Sequence, residues 1–382
     1  MIIQSVKIVR TRDISHYAWA RIAKFQNIDH TTGLIQQLHS LGGCHRENAR
    51  RQAEQIKYCL AQAREYYDAA RTASLATRPV LFYYSVMSMA LAEVLLKQTA
   101  DSRLAALRTH HNCHGLQLSL SADPKHDDTL SLSAEKLVAK PQVDSSGNPR
   151  GTFEVWRRSS REYPAGGYQI RDWGNGTSQR AYTMILTPTD SPPPIFASCG
   201  MSLLSCLIEL PYMAEVLASL GSRLRMVRST LQQTIQAHSG SVSTTMIVHP
   251  SSQDLIDAFG QLVVVDPAAV NTIQINELPS GYIVTEPDPE NGIRECPHSV
   301  CYTDEDIFFS CSRTNLNEFG LLYVAIHICG NFARYYPDIW LKHIEKSSPL
   351  ALAIDELCLN MFDRLPLLMI SELERTYHVV AK

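Results

Sequence analysis

The sequence lacks the short motifs that mark the commoner nucleotide and hydrolase chemistries. It holds no P-loop, no G-x-G-x-x-G after a strand, no G-x-S-x-G and no H-E-x-x-H. Its 10 cysteines show no repeating spacing, which argues against a disulfide framework and for reduced thiols. No apolar run reaches the roughly 18 uninterrupted residues of a membrane span. The longest, Val80–Leu96, is broken by Ser85, Ser88 and Glu93. The opening MIIQSVKIVRTRD lacks the basic, apolar and small-residue zones of a signal peptide. No internal repeat is visible. These absences lead to the expectation of a cytoplasmic protein without a membrane partner.

What is present is globular in character. The chain has 382 residues, 45% of them hydrophobic and 19% charged, enough for one large or two ordinary domains with a sizeable core. The net charge of −3 hides a division: residues 1–120 carry 15 Lys and Arg against 8 Asp and Glu, whereas residues 245–310 carry 1 Arg against 11 acids. That asymmetry leaves two readings open. The basic residues of 1–120 form a nucleic-acid face, or the two regions dock on each other or on another subunit.

Six segments follow from the hydrophobic periods and breaks. Residues 1–48 form an N-terminal segment: an apolar strand at its start and short helical pieces near Tyr17–Phe25 and Thr32–Leu41, closed by Gly42-Gly43. Residues 49–116 form a helical hairpin. Ile56, Leu60, Ala63, Tyr67 and Ala70 recur at three and four, and Val80–Leu96 is apolar nearly all round, the mark of a buried central helix. Residues 117–195 read as strand and loop, with strands near Leu118, Leu130, Thr152–Trp156 and Ala181–Leu186 and an irregular insertion over 159–180. Residues 196–240 carry short helices at Ser202–Leu210 and Tyr212–Leu220. Residues 241–312 form a β-rich acidic segment, with a hairpin around Leu278-Pro-Ser-Gly281. Residues 313–382 return to helix: Phe319–Tyr335, a corner at Pro337 and Trp340, then Ala351–Phe362 and Leu365–Tyr377. The expected fold is α+β, a mainly helical core built from the N-terminal hairpin and the C-terminal helices around a β-rich middle region. The hairpin and Phe319–Tyr335 should pack together, burying Leu91 and Leu322.

Three blocks carry a family resemblance. The first is Ala63-Arg-Glu-Tyr-Tyr-Asp-Ala-Ala70 with Arg78-Pro-Val-Leu-Phe-Tyr-Tyr-Ser85 and His114-Gly-Leu116. The second is Ser202–Pro211. The third is Leu321-Leu-Tyr-Val324 through Ala333-Arg-Tyr-Tyr-Pro-Asp-Ile-Trp340, with Arg364-Leu-Pro366 beyond. In this order they resemble the YaaC-like proteins of bacteria over roughly residues 50–375. The resemblance implies a fold rather than a function, and it places His114-Gly115 at a helix end.

Two candidate sites stand out. Arg108 and His114 are spaced as in the motif of HEPN-type ribonucleases, which the Val80–Leu96 helix also resembles. That resemblance implies metal-free RNA cleavage by attack of the 2′-OH, with a His moving protons and an Arg steadying charge. The bland alternative is a His bonding free carbonyls at a helix end before a Gly cap. The second site is Arg334 at the end of an apolar helix with Tyr335, Trp340 and Tyr84, read either as an anion-binding group or as a structural pair. Glu93, the one acid in the buried run, is its expected partner. His110, His111, Cys113 and His114, then Cys296, His298, Cys301 and Cys311, lack the paired spacing of a structural zinc site, and Asp304-Glu305-Asp306 reads as a solvated turn. No metal and no cofactor are expected.

The preferred expectation is a non-catalytic interaction or sensor subunit of a larger bacterial complex, in defence or stress response, with a protein partner or as a homo-oligomer. The alternative is a HEPN-like endoribonuclease using Arg108 and His114.

Overall fold

The computed structural model describes residues 5–97, 104, 112–159, 162–172, 178–188, 196–236, 242–249, 251–262, 264–265, 274–278, 281–286, 293–295, 299–303, 307–312 and 316–381. Strand β1 (Ser5–Val9) precedes helices α1 (Ile14–Ile22) and α2 (Ile28–Leu38). Both helices are N-capped by a side-chain oxygen, Asp13 accepting from the His16 N–H and Asn27 from that of His30. The expected hairpin follows as α3 (Arg46–Thr72) and α4 (Arg78–Lys97). The α3 stripe is buried as its period demands: Ala49, Ala53, Ile56, Leu60, Ala63, Tyr67 and Ala70 are all 0% exposed. Its alanines let α4 come close enough for the Ser85 hydroxyl to donate to the Ala63 carbonyl at 2.8 Å. By length and apolar content α4 would pass for a membrane span, but 72% of that window is buried inside the fold.

The middle of the chain alternates. Strand β2 (Leu116–Leu120), helix α5 (Leu130–Glu135) and strand β3 (Leu137–Pro141) lead to α6 (Thr152–Ser159). Strands β4 (Glu162–Asp172) and β5 (Ser178–Pro188) form a hairpin, and β6 (Met201–Ser202) joins β2 and β3 in a small antiparallel sheet. Then come α7 (Leu203–Leu207), α8 (Ala214–Ser219), β7 (Met226–Gln236), β8 (Val242–Val248), α9 (Gln253–Gly260) and β9 (Val264–Val265). Strands β10 (Gln274–Leu278), β11 (Gly281–Glu286), β12 (Ile293–Glu295), β13 (Ser299–Cys301) and β14 (Ile307–Ser310) complete the β-rich part. The large sheet runs β10-β11-β8-β7-β14-β13 with antiparallel neighbours, and β4 joins it parallel to β7.

Four expectations need correction here. Leu130 opens α5, not a strand. Thr152–Trp156 belongs to α6, where Glu154 pairs with Arg157 and Arg158 at i+3 and i+4, contacts that only a helix brings together. The irregular insertion is the β4–β5 hairpin, whose backbone finds its partners in the sheet. In the β-rich segment a strand is expected over Gln261–Val265, but Gln261 and Leu262 follow α9 as a turn and the described strand is Val264–Val265. The hairpin of β10 and β11 is as expected, Leu278 opposite Gly281.

The C-terminal part is α10 (Glu318–Tyr335), α11 (Pro337–Glu345), α12 (Pro349–Glu374) and β15 (Thr376–Val380). Instead of two closing helices there is one, because α12 continues through Pro366. That proline leaves the Phe362 carbonyl without its helical N–H, and the Tyr67 hydroxyl on α3 donates to it at 2.6 Å. Strand β15 pairs parallel with β1, Ser5 opposite Thr376.

One hydrophobic core joins α3 and α4 to α10 and α12, and the buried side chains of the large sheet and α9, such as Val227, Phe259 and Phe309, lie outside it. The close pass of α10 over α4 depends on Gly330, where a Cβ would stand 3.1 Å from the Pro79 carbonyl oxygen. Leu322 is fully buried as expected; Leu91 is only half-buried, on the rim of that core. A buried ion pair fastens α12 to the start of α10: Arg364 grips Glu318 with Nε at 2.8 Å and Nη2 at 2.6 Å.

Candidate functional site

The helix register places Tyr83 and Tyr84 side by side on α4, and His327, Asn331 and Arg334 on one face of α10 at i, i+4 and i+7. The packing of α4 on α10 brings the two sets together. Arg334 Nη1 donates to the Tyr84 hydroxyl at 2.9 Å, and its guanidinium lies 5.1 Å from the Tyr335 ring centre. Tyr84 stacks on Tyr66 of α3 with centroids 5.3 Å apart. Arg334 and Tyr335 are exposed, and Tyr84 is half-buried. Among the described residues no carboxylate pairs with Arg334.

His114 reaches the same place from a third segment. Its loop is clamped to the start of α6: the carbonyls of Cys113 and His114 accept from the N–H groups of Thr152 and Phe153, two of the donors a helix N-terminus leaves free. Gly115, at φ +87°, takes a left-handed turn that sends the chain into β2, and a Cβ there would meet the Arg150 carbonyl at 2.9 Å. So held, the His114 ring stands edge-on to Tyr83 at 5.4 Å, and Tyr83 in turn contacts Tyr84 at 5.6 Å and His327 at 5.1 Å. No hydrogen bond engages the ring nitrogens of His114 among the described residues. The helix-end expectation for His114 therefore takes a different form: its carbonyl caps the next helix, and its ring is left over.

Electrostatics sort these groups into charged and neutral. Partial burial, then the positive charge of Arg334, holds the His114 imidazole below its usual pKa. His327 is buried and lowered to about 3, by desolvation first and His114 second, so it is neutral; Asn331 covers it, donating to its carbonyl at 2.8 Å. Burial pushes the Tyr83 phenol up, and its hydroxyl has no partner. The patch thus presents one permanent cation among neutral donors.

Of the residues singled out in the sequence, Arg334, Tyr335, Tyr84 and His114 are brought together. Trp340 is not: it is 1% exposed, its Nε1 donating to the Ala76 carbonyl at 3.2 Å. Arg108 lies outside the described residues, as do His110, His111, Cys296, His298 and 304–306. The Glu93–Arg334 pair is wrong. Glu93 takes Lys97 at 2.9 Å and the Trp156 indole at 2.8 Å, and Lys97 also reaches Glu372 at 2.5 Å. A buried carboxylate needs partners already at hand, and the lysine four residues on in the same helix is the nearest. Tyr66, Tyr83, His327 and Asn331 were missed, although the i, i+4, i+7 spacing of His327, Asn331 and Arg334 could have found two of them.

Part of the basic surface of 1–120 is paired within the fold. Arg50 meets Asp29, Arg51 meets Glu47, Arg64 meets Asp68, Arg21 meets Glu374 and Arg78 meets Asp355. Of the acids in 245–310, only the side chains of Asp254 and Asp257 are described.

The molecule is thus an α+β protein with a mainly helical core and an exposed Arg–Tyr–His patch where three segments meet. Residues 23–134 match the model of the YaaC-like protein family, so the resemblance read from the sequence holds over that stretch, which includes Tyr83, Tyr84 and His114. No curated protein and no solved structure matches the chain.

Proposed function

We propose that the chain is a non-catalytic interaction or sensor subunit of a larger assembly, such as one acting in defence or stress response, with the Arg334–Tyr84–His114 patch as its recognition surface. One observation carries this reading: the packing of α10 on α4 sets Arg334 against Tyr84, 250 residues away in sequence, as an exposed guanidinium that no described carboxylate neutralises and whose charge is felt at His114. An exposed Arg beside aromatic rings is the composition of interaction hot spots. The test is co-elution of a partner at fixed stoichiometry with the natively purified chain. Arg334→Glu and Tyr335→Ala should each release it without lowering Tm, since both side chains are exposed. A partner retained by both variants, or a chain that elutes alone, overturns the proposal.

A second reading, metal-independent RNA cleavage by His114 and Arg108, is favoured by the neutral His114 ring beside a cation. With RNA and a chelator, His114→Ala should then slow cleavage by about 10²–10⁴-fold, the usual worth of general acid–base catalysis. A parent protein that leaves RNA intact ends this reading.

A further inference from the structure

The recognition-surface reading can be taken one step further, to the chemistry of what is recognised. We propose that Arg334, Tyr84 and His114 form a binding site for the phosphoryl group of a small molecule, with the Tyr335 ring beside it as a platform for a flat substituent.

The argument is a count of donors. A guanidinium carries five N–H groups, and one of those on Arg334 is directed at the Tyr84 oxygen. Because that oxygen accepts from Arg334, the phenolic proton is left to point elsewhere, and no acceptor for it exists among the described residues. The neutral His114 imidazole adds one N–H from the other side of Tyr83. Arg334 and Tyr84 thus offer donors, one of them charged, at one exposed place, and His114 lies near enough to feel the charge of Arg334. An anion with several oxygens disposed tetrahedrally meets donors arriving from different directions, and the planar Arg fork suits two such oxygens at once. The Tyr335 ring, 61% exposed, lies against the same guanidinium, where a purine or pyrimidine could stack.

The groups facing His114 sharpen the expectation. They are Arg334 and His327 from α10 and Tyr83 from α4, with Tyr84 and Cys113 behind Tyr83. His327 is held to about 3 and the phenol of Tyr83 is raised, so neither takes up charge near neutrality. A bound dianion favours the protonated imidazole, so as pH falls from 8 to 6 the parent should gain affinity relative to a variant without the imidazole, on top of the ligand's own second ionisation at about pH 6.

The experiment is calorimetric titration of the full chain with inorganic phosphate, ribose 5-phosphate and a nucleoside 5′-monophosphate at pH 6, 7 and 8. Phosphate and both esters should bind, Arg334→Ala should weaken all three by at least roughly tenfold, and Arg334→Lys should fall between. His114→Gln should bind with a pH profile that follows the ligand's own second ionisation alone, and a profile identical to the parent's would remove His114 from the site. If the nucleotide binds more tightly than ribose 5-phosphate and Tyr335→Ala removes only that difference, the ligand is a nucleotide; if the two bind equally, the site reads the phosphoryl group alone. No binding by any probe, or Arg334→Ala binding like the parent, overturns the proposal. Should a partner still co-elute in an Arg334-dependent way, the phosphoryl inference has failed while the recognition surface stands.

Discussion

Glu209 shows what one buried carboxyl does to the whole chain. It is 2% exposed, with the hydroxyl of Ser312 donating to it and the side chain of Ser310 beside it. Burial pushes its pKa from the ordinary 4.5 up to about 7. Between those values the folded protein keeps a proton that the unfolded chain gives up, so stability falls as pH rises through that window and levels off above it. Removing the effect with Glu209→Gln should leave the two proteins close at pH 4.5, and the variant more stable by about 3 kcal/mol at pH 8, at 1.36 kcal/mol per pKa unit. Urea midpoints across that pH range check it; parallel curves would place the Glu209 pKa near its ordinary value. Legibility at this scale was uneven. Arg334, Tyr84 and His114 could be picked out as charges and rings in apolar surroundings, but which of them pair depends on the packing of α4 against α10. Lys97 escaped as the partner of Glu93 because a long-range pair was sought where a same-helix contact was closer.

At the scale of elements, periodicity was a reliable guide where a stripe ran long and failed where local rules met remote partners. The stripes of α3, α4 and α10 could be read because each spans several turns with one continuous apolar face. Residues 152–156 were too few for alternation to exclude a helix, and the sequence Glu154-x-x-Arg157-Arg158 held the deciding signal. Pro366 reads locally as a helix break, yet the helix survives because Tyr67 takes over the orphaned carbonyl while also bonding Ser15 and Arg71. Tyr67→Phe should therefore cost about 1–3 kcal/mol, the penalty of leaving buried polar groups unpaired. Pro366→Ala supplies the missing N–H, so combining the two should cost less than the sum of the single losses. Additive losses in chemical denaturation would mean that the hydroxyl is not what carries the helix through Pro366.

At the scale of the molecule, the hairpin and α10 make one core, and its depth can be graded. Leu322→Ala, at 0% exposure, should cost about 2–5 kcal/mol. Leu91→Ala, on the rim, should cost roughly 1 kcal/mol or less, because a half-exposed leucine forfeits only part of its transfer free energy. Equal losses in thermal unfolding would place both residues at the same depth. The charge division was visible in composition, but which charges are spent was not: Arg21, Arg50 and Arg78 of the first third meet acids that only the folded chain brings to them. The packing of α4 against α10 also sets a timetable for synthesis. The two helices are separated by more than 200 residues of chain, which a ribosome adding about 5–20 residues per second takes some ten to fifty seconds to deliver. For that interval the face of α4 that α10 will cover, on a helix as apolar as a membrane span, meets water bare. Emerging chains stalled before α10 should thus be strong clients for chaperones that hold exposed hydrophobic helix, and chains released after it should not.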